Sequence, residues 1–380
     1  MANTLLPMRL KELPLQIAIS VEAQTNMIVL SKPGVGKTDT INATAKRIQE
    51  RKPEFGLVYC DAGTMMVPDF GATVPNRDKG TLEYYPNGVL PNAYVTPNWC
   101  GVINFGEFLN VDSMMGKLFQ KYNNGESING KLRKPDGAVI IADSNRLVDR
   151  SGVNVQSLAL MSRMEQQEVY SEPQDNIDFM IEHDWHPTVT SFAKEFPHLI
   201  DNYDDARGLT KARENESSEA KQMRETSTEE GKLGVWANMR SWNRMSRIEF
   251  ALETMKRDML PQRAFGNVGS AIGAQFMKHR AAISKLASLD EILKHPTKVA
   301  IPDNIGELYA TLLMLVQRTD IKQVEPMAKY IDRIQGDLKA MVIRRLLVRS
   351  QKADNFAIAR TDVWKGWMRD PDYQAIMQGK

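Results

Sequence analysis

Met27-Ile-Val-Leu-Ser-Lys-Pro-Gly-Val-Gly-Lys-Thr38 is the stretch on which the fold turns. Its opening, residues 27–30, is a short apolar run of the kind that forms a buried strand. Beyond it, residues 38–51 place Ile41, Ala45 and Ile48 on one helical face. A glycine-bearing turn between strand and helix lets successive backbone N–H groups and the helix N-terminus face phosphate oxygens. In that setting Lys37 reaches the β and γ phosphates and the Thr38 hydroxyl ligates Mg²⁺. The expected nucleotide contacts are Ser31, Lys32, Pro33, Gly34, Val35, Gly36, Lys37, Thr38 and Asp39, with ATP and Mg²⁺ as cofactors and Thr38 as metal ligand. Ser31 stands where the pattern usually begins with Gly, and a small residue makes the same turn. Lys37 is expected to stand exposed at the phosphate site.

Working outward, three more apolar runs read as buried strands: residues 57–60, 102–105 and 138–142. Residues 113–122 carry Met115, Leu118, Phe119 and Tyr122 at helical spacing. Strands alternating with amphipathic helices predict an α/β fold with a parallel sheet. A hydrolysing phosphate site needs carboxylates at a neighbouring strand end, one for the hydrated magnesium and one for the attacking water. Gly101-Val-Ile-Asn-Phe-Gly-Glu107 supplies Glu107 as the water-activating base, but Gly106 precedes it where an acid is expected. That gap predicts nucleotide affinity with slow turnover, and a faster Gly106→Asp variant if the strand tip accepts the side chain. The fourth strand runs into Ala142-Asp-Ser-Asn-Arg146, where Asn145 is placed to hold the lytic water or touch the γ-phosphate. Asp143 is a second acid there, its direction left open by strand alternation. Arg163, in Ala159-Leu-Met-Ser-Arg-Met164, is placed to reach the γ-phosphate of a neighbouring subunit.

The 49 basic and 47 acidic residues of this 380-residue chain nearly cancel, leaving a formal charge of +2. No broad basic face for a nucleic-acid backbone is expected from that balance. Cys60 and Cys100 lack metal-ligand spacing and read as reduced thiols, which with the absence of an apolar run of ~18 residues predicts a cytoplasmic protein with no membrane contact.

Together these segments resemble the MoxR-type AAA+ ATPases, over roughly residues 13–316. Met66-Val-Pro-Asp-Phe-Gly-Ala-Thr-Val-Pro75 is similar to that family's insertion in its second helix. Residues 142–145 with Asp149-Arg-Ser-Gly152 resemble its sensor 1 strand and following turn, and Ser162-Arg-Met164 its arginine-finger segment. Ala237-Asn-Met-Arg-Ser-Trp-Asn-Arg-Met-Ser246 resembles its P-R-S-W lid signature, which makes Arg240 the sensor 2 arginine; Trp242 and Ser246 favour it over Arg263. Gly266-Asn-Val-Gly269 and His295-Pro296 match later lid landmarks. The resemblance implies an αβα P-loop core with strand order 5-1-4-3-2, a helical lid and C-terminal helices. It further implies a hexameric ring acting on a protein substrate, with a von Willebrand factor A-domain adaptor.

The expected division is a nucleotide-binding core at residues 1–175, a helical connection at 176–234, and lid with C-terminal helices at 235–380. Within the connection, residues 212–231 carry Met223 as their only large apolar side chain and read as a mobile loop. After Gly234 helical periodicity continues, as in Val268, Ile272 and Phe276, then Leu308, Leu312 and Leu315, then Ile334, Leu338 and Met341. His183 and His186 lack a third convergent ligand and read as ordinary helix residues. Arg344, Arg345 and Arg349 read as a solvated basic helix face. Two other functions remain open on the sequence: an ATP-binding assembly scaffold, favoured by Gly106, and a nucleic-acid motor, disfavoured by the charge balance.

Overall fold

The computed structural model describes residues 6–149, 152–210, 217–334, 336–354, 357–369 and 374. The chain forms two compact units, Met1–Glu172 and Pro173–Lys380. Arg150 and Ser151, in the turn that resembles the one after sensor 1, lie outside the described residues.

The first unit is built on a six-stranded parallel sheet. Its strands are β1 (Met8–Arg9), β2 (Met27–Ser31), β3 (Gly56–Asp61), β6 (Cys100–Gly106), β7 (Gly137–Asn145) and β8 (Glu165–Tyr170). A separate antiparallel hairpin, β4 (Gly71–Asn76) and β5 (Thr81–Pro86), begins within the segment that resembles the family's insertion. The sheet order is β1-β8-β2-β7-β6-β3. Counted from the strand before the P-loop, the last five strands read 5-1-4-3-2, as the resemblance implied. β1 and β8 escaped the sequence reading. β1 has two residues, and Glu165-Gln-Gln-Glu opens β8 without an apolar run.

Alternation along the strands divides the sheet into two apolar faces. Met27, Val29, Val102, Val139 and Ile141 pack with Leu13 and Ile17 of helix α1 (Leu13–Ala23) and Ile41 and Ala45 of helix α2 (Lys37–Arg51). Ile28, Ile103, Phe105, Ile140 and Ala142 point the other way, onto Phe108, Phe119 and Tyr122. Phe119 is the centre of that side, edge-on to Phe70, Phe105 and Phe108 at 4.8–5.2 Å between ring centroids. Edge-to-face pairs of this kind add about 0.5–1.5 kcal/mol each beyond burial. The register pairs Ser31 with Asn145, so the fold itself sets the start of the P-loop beside the tip of β7.

The described residues of the second unit are helical. Trp242 is buried and donates from Nε1 to the Ile200 carbonyl (2.9 Å), while the Ser246 hydroxyl accepts from the His186 amide (2.8 Å). The polar stretch read as a loop is largely a helix, Ser218–Lys232, its residues 212–216 lying outside the described residues. The Ser217 hydroxyl caps it, accepting from the Ala220 amide (3.1 Å). Residues 219–224, Glu-Ala-Lys-Gln-Met-Arg, are strong helix formers. Polar contacts help to anchor it: Thr228 Oγ1 donates to the Asp205 carbonyl (2.8 Å) and Ser227 accepts from Asn202 Nδ2 (3.0 Å), while Met223 packs on the unit's apolar core.

Two of the periodic triplets cross breaks: Gly269 separates Pro261–Val268 from Ser270–Ile283, and Ile334 precedes the helix Asp337–Asp354. His183 and His186 do not share a helix, because His186 is the N-cap of Pro187–Glu195. Arg345 pairs with Asp184 (2.6 Å), and Arg349 donates to the carbonyls of Val316 and Thr319. That helix face is therefore held against its neighbours and not merely solvated. No described helix is long and apolar enough to cross a membrane.

Candidate nucleotide site

The P-loop turn uses two left-handed glycines, Gly34 (φ 84°) and Gly36 (φ 104°). Side chains rarely adopt such angles, and a Cβ on Gly36 would meet only Leu10 at an ordinary 3.7 Å. Conformation, and not crowding, requires glycine there. Gly36 then caps α2, so its turn delivers backbone amides to the N-terminus of a 15-residue helix. Lys32, Pro33 and Val35 form the rest of the turn, and Asp39 lies in the first turn of α2.

Lys37 is buried, with 7% of its surface exposed, contrary to the expectation that it would stand free. Its Nζ lies 3.0 Å from Ser31 Oγ and 3.3 Å from Asn145 Oδ1. Ser31 thus gives the lysine a hydroxyl that the usual Gly cannot. Burial lowers the Lys37 pKa, while Asp143, Glu107 and Asp149 pull it back up. Asn145 links two roles: its Oδ1 accepts from Lys37, and its Nδ2 donates to Glu107 Oε2 (3.4 Å). Glu107 also accepts from Asn110 Nδ2 (3.0 Å). It sits in the left-handed region (φ 52°, ψ 36°), which costs an L residue about 1–2 kcal/mol. A strained acid at a strand end is the type of outlier that accompanies functional sites.

An acid does meet Thr38, from the strand next to β6. Asp143 of β7 accepts from the Thr38 hydroxyl with both oxygens, at 3.1 and 3.0 Å. Val139 and Ile141 face α2, so Asp143 and Asn145 do as well. Asp143 is 2% exposed. Burial raises its pKa to about 6 against the opposing pull of Lys37 and Thr38, with Glu107 and Asp39 raising it further. A buried carboxylate beside a hydroxyl is a hard-oxygen pair suited to Mg²⁺, which is commonly held by one or two carboxylates plus substrate phosphates. Among the described residues no cluster of three or more His, Cys, Asp or Glu could hold a metal by itself. The donor set therefore fits a magnesium completed by phosphate.

A Cβ built at Gly106 would lie 2.6 Å from the Tyr59 hydroxyl, so a carboxylate there requires the end of the Tyr59 side chain to move aside. Asp149, buried, accepts three hydrogen bonds from Arg146, from Nη2 (2.8 Å), Nε (3.2 Å) and the backbone amide (3.0 Å), and Arg146 also reaches Glu168 on β8. This ion network was not foreseen.

Among the described residues of the first unit, Arg163 is not joined to this cluster. Arg163 is exposed and folds back on the Ala159 carbonyl. Arg240 belongs to the second unit, exposed in the first turn of the helix Met239–Met255.

No family model and no curated protein matches the chain. Among solved structures it is similar to a protein of Cytophaga hutchinsonii provisionally assigned as an ATPase (11% identity, 97% of this chain, 85% of that one, TM-score 0.32). It is also similar to a mutant of Thermotoga maritima RuvB (14%, 84% and 87%, TM-score 0.37). A third is the Aeropyrum pernix ORC1 protein in complex with DNA (13%, 87% and 84%, TM-score 0.36). Likeness at this level concerns the fold alone.

Proposed function

We propose that this chain is a MoxR-like AAA+ ATPase that binds Mg·ATP at the P-loop and couples its hydrolysis to remodelling a partner protein. The observation that carries the reading is the convergence of Lys37, Asn145 and Glu107 beside the Thr38–Asp143 pair. Lys37 and the amides of the turn hold the phosphates. Bound magnesium would neutralise charge on the transferring phosphoryl group, with Thr38 and Asp143 as its protein-side oxygens. Asn145 fixes the Glu107 carboxylate, which takes the proton of the attacking water as its oxygen bonds to the γ-phosphorus and ADP departs. Gly106 favoured a non-hydrolysing scaffold, and Asp143 removes most of that argument.

Arg163 as a finger acting on the neighbouring subunit, Arg240 as sensor 2, the ring and the adaptor rest on the resemblance. Lys37→Ala tests the core of the reading by calorimetry. We expect ATP binding in the wild type and its loss in a variant that still melts cooperatively. Equal affinity in both would sink the P-loop assignment.

A further inference from the structure

Gly106 lies on the sheet face that meets α2, because Val102, two pairs back on the same strand, packs with Ile41 and Ala45 there. On the adjoining strand the register sets Asp61 opposite Gly106 and Tyr59 opposite Asn104. On the other side, one step beyond the Phe105–Ala142 pair, comes Asp143. A row of side chains at the strand ends therefore reads acid, gap, acid.

Tyr59 fills the gap. Strand side chains lean along the strand direction, and this ring leans from its own row over Gly106. A Cβ on Gly106 would meet the hydroxyl oxygen at 2.6 Å, Cζ at 3.2 Å and Cε2 at 3.1 Å. The ring is half exposed, so core packing alone does not explain its position. Partial burial and the charges of Asp61, Asp143 and Glu107 hold the phenol above its usual pKa. Its neutral hydroxyl lies at the strand ends that carry Asp61 and Asp143, and among the described residues none accepts a hydrogen bond from it.

We propose that Tyr59 is a positioning residue of the magnesium–nucleotide site, its hydroxyl ordering the water shell of a metal held by Thr38 and Asp143, and that residue 106 is glycine because the phenol occupies the volume of its side chain. The proposal rests on the Mg·ATP reading of that pair. It predicts that the hydroxyl matters to magnesium and not to the P-loop's grip on phosphate.

The test is a magnesium titration of ATP binding to the full chain, followed with a fluorescent ATP analogue, with parallel binding in excess chelator and melting curves. Tyr59→Phe keeps the ring and removes the donor. Its magnesium midpoint should rise about 2- to 10-fold, the range for one hydrogen bond, with chelator-state affinity unchanged. Gly106→Asp displaces the phenol, so with Tyr59 present its midpoint should rise over the same range, and it should return close to wild type when combined with Tyr59→Ala, which vacates the space. An unmoved midpoint in Tyr59→Phe overturns the role of the hydroxyl, whatever its melting temperature. Equal damage by Gly106→Asp with and without Tyr59 overturns the pairing. A wild type that binds no ATP overturns the nucleotide reading itself, and this proposal with it.

Discussion

Asp143 was in view in the sequence, two residues before Asn145, yet its direction was left open. Period-two alternation settles it: if Asn145 faces the P-loop, Asp143 does too. What the sequence could not show is that β7, and not β6, would set its acid against Thr38, because that depends on register. Gly106 read as a loss for the same reason, since nothing in the local sequence says that Tyr59 reaches over it. Asp143 also gives a stability prediction for the metal-free chain. Its folded pKa, about 6, lies above the unfolded value of 3.8. Folding therefore disfavours the ionised form, and this group's penalty grows as pH rises from about 4 to about 6 and is complete above that. Asp143→Asn should be more stable than wild type at pH 7, by on the order of 2–3 kcal/mol, and level with it near pH 3.5. Denaturant titrations at the two pH values check the sign; a wild type more stable than the variant at pH 7 would contradict the buried-acid account.

At the scale of elements, strands with apolar runs were legible and strands without them were not. β2, β3, β6 and β7 announce themselves, whereas β8 is recognisable only by its pairing with β2 along Met27–Leu30. The Ser218–Lys232 helix is hard to read from apolar content, because beside Met223 its seat is made by polar contacts and a glycine. A Cβ on Gly231 would meet the Ala206 carbonyl oxygen at 2.0 Å. Gly231→Ala must therefore push the helix off that backbone, at a cost of about 1–3 kcal/mol. Gly266 is the contrast, helical with nothing within 4 Å of an added Cβ. There Ala should be neutral or stabilising by up to about 1 kcal/mol. Melting curves of the two variants should move in opposite directions or, at least, only Gly231→Ala should fall. Equal behaviour would mean that the helix is not seated on Ala206.

At the scale of the whole molecule, the balance of charge and the sheet order were readable early, the second from a resemblance and not from periodicity. The roles proposed for Arg163 and Arg240 involve more than one chain or more than one unit. Arg163 is exposed and bonded only to a backbone carbonyl of its own turn, a position open to a neighbour's nucleotide. If it acts in trans, mixtures of Arg163→Ala and Lys37→Ala chains should regain part of the turnover that each lacks alone, because some interfaces then join two intact halves. ATP should also shift the chain toward a ring by mass-resolved chromatography. Assembled mixtures without recovery at any ratio would remove the trans role.

The most direct measurement of the central claim, that Asp143 does the work of the absent acid at Gly106, is steady-state phosphate release across a magnesium titration. Wild type, Asp143→Asn and Glu107→Gln are compared, with ATP binding in excess chelator as the control. Removing one positioned electrostatic contributor to a transition state costs about 10²–10³ in rate. Asp143→Asn should lose turnover on that order and need more magnesium, while binding ATP without metal as well as wild type does; Glu107→Gln should lose turnover with its magnesium midpoint unchanged. Wild-type turnover and magnesium dependence in Asp143→Asn would contradict the account.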